Sequence, residues 1–210
     1  MYDVTVPMAL VDFIPVALFA VSSWLMMHDF YNKMPKYAFA CLAAGTIDAF
    51  LAGFLKALWK LLYAAGICDF HVLNTMFMPT QSLGLFLAGL GLVLMLTYRD
   101  NRKGRANCVA LAAPAVFSGT MIFVALMVGG LGAMCAALSI VASRMKKKGL
   151  IVIFVLTFFC YMAMGYLSSR DNTSAANNWV EQGVNTLGQI LLLIGVRALD
   201  KADLRNYKLA

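Results

Sequence analysis

The chain has 210 residues, 62% hydrophobic and only 13% charged, with a formal net charge of +7. A water-soluble domain is about 45–50% apolar and about 25% charged, so too little charge is present to coat a water-facing surface. Mean hydropathy of +0.79 places the chain in lipid as one membrane domain. The basic excess does not point to nucleic acid, because most Lys and Arg fall in alternate loops, as lysines and arginines on one membrane face do.

A spanning helix needs about 20 mostly apolar residues, and the pattern predicts an all-α bundle of seven. The first helix covers residues 7–28. Pro7 suits its first turn, where a missing N–H costs nothing. No Lys or Arg precedes it, and Asp3 and Asp12 stand where a signal peptide would be basic, so it reads as a retained helix. The second covers residues 36–65, with Gly45, Ala49 and Gly53 spaced to let a neighbour approach closely. The third covers residues 72–98, with Pro79 predicting a kink in its outer half. The apolar run 108–144 exceeds one untilted span. Gly129, Gly130 and Gly132 predict a tight turn inside it, which divides helices 108–128 and 131–144. The sixth helix covers 150–169 and the seventh 178–199.

Loop charge supports this count. Lys33 and Lys36 mark the first loop, Arg99, Arg102, Lys103 and Arg105 the third, and Arg144 with Lys146, Lys147 and Lys148 the fifth. Lys201, Arg205 and Lys208 mark the tail. The rule that positive loops stay inside then puts the N-terminus outside and the C-terminus in the cytoplasm of a cell membrane. The Arg144–Lys148 tract is placed to contact anionic lipid head groups, and oligomerisation is compatible with the pattern. The outer loop sequence Asn172-Thr173-Ser174 is a glycosylation sequon.

The cysteines Cys41, Cys68, Cys108, Cys135 and Cys160 have no metal-binding or disulfide spacing. His28 and His71 are expected on opposite faces, so no metal site is expected. No HExxH, GxSxG or Gly-rich phosphate loop occurs, and no catalytic residue is assigned. The last helix has no lysine between Asn178 and Leu199, which excludes a retinal Schiff base there; no cofactor is expected.

Function rests on buried polar residues. Asp12, Asp48, Lys56, Lys60 and Glu181 fall inside predicted spans, where a charge costs about 2.5–3.5 kcal/mol at the bilayer centre. At about 100° per residue, Asn178, Glu181, Gln182, Asn185 and Gln189 form one polar stripe. Asp48, Lys56, Trp59, Lys60 and Tyr63 share an arc of the second helix, and Asn74 and Gln81 nearly share a face of the third. Asp12, Lys56, Gln81, Ser118, Tyr161, Glu181 and Gln182 lie within about 15 Å of their helices' outer ends. Such groups must face the bundle or a wet cavity.

The expected site is an outward-facing pocket for a small polar or zwitterionic ligand, lined by Asp12, Lys56, Gln81, Tyr161, Glu181, Gln182 and Asn185. Lys56 would meet an anionic group, while Asp12 and Glu181 would meet a cationic group or balance Lys56. The amides would supply hydrogen bonds. Asp48, deep and without an opposite charge one turn away, is the candidate proton-coupling group. Transport is the favoured purpose. Alternatives are a receptor or sensor, an intramembrane lipid-modifying enzyme, and a structural subunit. In the bland readings Lys60 snorkels beside Trp59 and Tyr63, Asp12 caps a kink by Pro15, and the stripe is interhelical glue.

Overall fold

In hydrocarbon every peptide group needs an internal hydrogen-bond partner, which a helix supplies within its own segment. A computed structural model describes residues 5–98, 120–168 and 175–207. Among them all regular structure is helical: α1 (Val6–Val11), α2 (Phe13–Phe30), α3 (Lys36–Ala64), α4 (Val72–Thr75), α5 (Phe77–Thr97), α6 (Thr120–Arg144), α7 (Gly149–Ser168) and α8 (Ala175–Lys201). Five spans are long and apolar enough to cross a membrane: α1 with α2, α3, α4 with α5, α6, and α7. The protein is therefore a multi-pass membrane protein in its architecture. The more polar α8 packs along α2 and α7. Residues 108–119, Ser118 among them, and the sequon at Asn172 lie outside the described residues.

Two breaks fall in the same half of the bundle. The expected first helix is interrupted at Asp12, between α1 and α2. Pro15 has no N–H to give the Val11 carbonyl one turn back, which weakens the ladder there. The Asp12 side chain makes no cap hydrogen bond, so the capping role does not hold. Pro79 likewise cannot donate to Thr75, and α4 gives way to α5 at Met76.

The turn expected at Gly129–Gly132 is absent: α6 runs unbroken from Thr120 to Arg144. The division into helices 108–128 and 131–144 is thus corrected. Gly130 is a contact surface, not a hinge. A Cβ there would lie 2.5 Å from the Leu85 backbone, and one on Gly89 would lie 2.3 Å from Gly130 O. Only glycine permits that approach, and small residues are how helices associate in lipid, where apolar burial gives no advantage over lipid tails. The same device joins α3 to α5, where a Cβ on Gly45 would lie 2.4 Å from Gly84 O.

These contacts also fix direction. Gly45 faces Gly84 and Ala88 while Gly91 faces Ala38 and Leu42, so α3 and α5 are antiparallel. Gly130 faces Leu85 and Phe86 while Ala133 faces Gly89, so α5 and α6 run parallel. Tyr98 and Thr120 therefore lie at opposite ends of the bundle.

One end is basic and clasped. Lys33 Nζ donates to Tyr207 O, and the Tyr207 hydroxyl donates to Arg144 O at 2.7 Å. These bonds tie the turn after α2, the end of α6 and the segment after α8 together. The adjoining half is an apolar plug of Phe30, Leu92, Met134, Leu138, Val141, Phe154, Leu192, Val196 and Leu199, all buried. At the other end Gln182 Nε2 donates to Met8 O at 3.0 Å, and Trp59 Nε1 donates to Asp69 Oδ1 at 3.0 Å.

Candidate functional site

Above the apolar plug, in the half away from the basic end, lies a partly open cavity of about 90 Å³. Helical spacing explains its walls. Ala49, Gly53, Lys56 and Lys60 recur every three or four residues and form one face of α3. Gln182, Asn185 and Gln189 do the same on α8, with Glu181 beside them. The helix breaks bring in Asp12 and Pro15 from one side and Phe77 and Gln81 from another, while Tyr161 closes the wall from α7.

All seven residues expected at the pocket, Asp12, Lys56, Gln81, Tyr161, Glu181, Gln182 and Asn185, border this one cavity. Asp48 does not. It sits about 100° round the helix from Ala49, at the seam where α3 meets Gly84 of α5. The proton-coupling role assigned to it loses its geometric basis. Asn74, on α4, and Asn178, on α8, also stay outside the lining.

The charges are arranged in two ways. Lys60 Nζ pairs with Asp12 Oδ2 at 2.6 Å, their side chains only 14% and 13% exposed. Lys60 therefore reaches across to α1–α2 instead of snorkelling. Lys56 is different. Its ammonium lies over the Phe77 ring, 3.9 Å from the centroid, and forms no ion pair with a described carboxylate. Glu181, Asp12 and Lys60 lie close enough to exert an electrostatic influence on it. The four lining charges sum to zero.

The amides carry unmet demand. Oε1 of Gln81, of Gln182 and of Gln189 is buried without a hydrogen-bond partner among the described residues. Gln182 is only 4% exposed, and its Nε2 is held by Met8 O, which fixes the side chain. A buried acceptor left unpaired costs about 1–3 kcal/mol. Three around one cavity are hard to attribute to structure alone.

Sequence reasoning missed part of the lining. Gln189 was in the polar stripe but not assigned to the pocket. Phe19, Phe50, Phe77, Met127, Leu131 and Met164 also border the cavity. It also passed over Asp29, 2% exposed, whose Oδ1 lies 3.2 Å from His28 Nδ1 near the basic end.

The fold and site define a helical multi-pass membrane protein enclosing a net-neutral polar cavity in one half of its bundle. No protein-family model, curated protein or solved structure significantly matches this chain.

Proposed function

We propose that this protein binds a small polar or zwitterionic solute in the cavity and carries it across the membrane. One observation supports this most directly: an ammonium without an ion-pair partner and three amide oxygens without donors, among the described residues, border a single space. A purely structural polar cluster would pair its own members, since every unpaired group in a membrane interior costs free energy. That weighs against the reading of the stripe as interhelical glue. Broken helices beside the cavity are a further support, because membrane binding sites use interrupted helices.

The chain crosses the membrane seven times in this reading, with its N-terminus outside. Among the described residues, α1–α2, α3, α4–α5, α6, α7 and α8 make six of these passages. The basic end, with Lys33, Arg144 and the lysines that follow, faces the cytoplasm by the positive-inside rule, and the cavity faces outward. The apolar plug and the Tyr207 clasp close the inner half, as one state of an alternating-access cycle requires.

Uptake into sealed proteoliposomes, set beside binding to the same preparation, tests the proposal. Uptake that disappears in the Lys56→Met variant is the expected result. Binding without flux would make the protein a sensor, and neither binding nor flux across a broad solute panel would overturn the proposal.

A further inference from the structure

The cavity's unmet demands are of two opposite kinds, and together they specify an occupant. Lys56 presents a cation that no described carboxylate neutralises at ion-pair distance. Gln81, Gln182 and Gln189 present acceptors that no donor satisfies. An anion alone would bring no donor to the three oxygens, and an amine alone would leave Lys56 without its counter-charge. A neutral polyol would satisfy the oxygens but add no charge beside Lys56. The described lining charges sum to zero, which favours an occupant that is itself neutral overall, since an uncompensated charge inside a membrane is costly.

Size narrows this further. A cavity of about 150 Å³ holds benzene, whereas the present one is about 90 Å³. Its occupant is therefore small. Resting on the solute-binding reading above, we propose that the ligand is a short zwitterion of the α-amino-acid type, comparable with glycine or alanine. Its carboxylate is drawn to Lys56 and its ammonium donates to the amide oxygens along α5 and α8. Gln182 and Gln189 are seven residues apart, about 10 Å along the helix axis, so the ammonium engages one of them at a time. The other is served by water, for which polar cavities have room. The Phe77 face holds Lys56 in place.

The test is thermal melting of the purified full chain in lipid nanodiscs, since a ligand stabilises the folded state by an amount set by its concentration over Kd. The probes are glycine, L-alanine, L-phenylalanine, ethylamine, propionate and glycerol. Glycine and L-alanine are expected to raise Tm at concentrations at least tenfold below those needed for ethylamine or propionate, which each carry one of the two charged ends. L-Phenylalanine is expected to bind more weakly than alanine. In Lys56→Met, alanine should fall to the level of ethylamine, and Lys56→Arg should restore the preference for a carboxylate. Stabilisation by glycerol or ethylamine equal to that by alanine would overturn the zwitterion while leaving solute binding intact. No shift from any of the six would overturn the zwitterion and count against the solute-binding reading itself.

Discussion

Asp12 and Lys60 form an ion pair at 2.6 Å that joins the break between α1 and α2 to the C-terminal part of α3. It is the sole ion pair between helices among the described residues. Removing one partner of a shielded pair strands the other charge, which costs about 3–5 kcal/mol in buried cases. Asp12→Asn should therefore destabilise the protein by a few kcal/mol, somewhat below that range because both side chains keep slight exposure. The double variant Asp12→Asn with Lys60→Met should lose much less than the sum of the two singles. Melting in detergent across the four-member cycle checks this; additive losses would mean the pair carries no coupling.

Lys56 should behave in the opposite way. It makes no ion pair with a described carboxylate and rests on Phe77. Replacing it with Met removes the desolvation cost of a charge inside the membrane, less the ring contact of about 0.5–2 kcal/mol. The variant should be at least as stable as the parent, on the order of 1 kcal/mol better, while losing binding. A Lys56→Met protein as unstable as Asp12→Asn would identify Lys56 as a structural tie and not a binding group.

The adjacent glycines of α6 should diverge. A side chain at Gly130 would strike the backbone of Leu85 and Phe86, whereas Gly129 faces open space. Gly130→Val should abolish the α5–α6 contact and yield little folded protein. Gly129→Ala should be neutral or stabilising by about 0.5–1 kcal/mol, because alanine is the better helix residue. Size-exclusion profiles with melting curves decide between them. Equal damage at both positions would revive a turn there.

The positions of these glycines illustrate where sequence is informative. Three glycines in an apolar run are compatible with a turn or with a close helix contact, and only the partner helix distinguishes them. Loop charge favoured dividing the run 108–144, and the glycines suggested a position for the division where α6 is in fact unbroken. Gln182 and Asn185 were legible because a polar stripe in a membrane helix has nowhere to point but inward. Phe77, Met127 and Met164 were not, since in a helix apolar all round the lipid-facing and cavity-facing side chains look alike. Asp48 was singled out by depth, and depth carries no angle: it lies at the α5 seam and outside the cavity lining.

Tyr207 offers a test of the closure at the basic end. Its hydroxyl bonds Arg144 O at 2.7 Å, and Tyr207→Phe should cost about 1 kcal/mol. If the clasp helps hold the inner half shut, the same variant should shift the balance toward an inward-open form and raise exchange of bound solute from the inside. Unchanged exchange would reduce the clasp to a local tie.

The central claim is that the cavity is wet and open to the outside. Asn185 borders it, so Asn185→Cys in a background lacking the native cysteines gives a direct reading with a membrane-impermeant thiol reagent. Rapid labelling from the outer face, slow labelling from the inner face and protection by bound solute are predicted. A thiol that reacts only from the inside, or from neither side, would contradict the account.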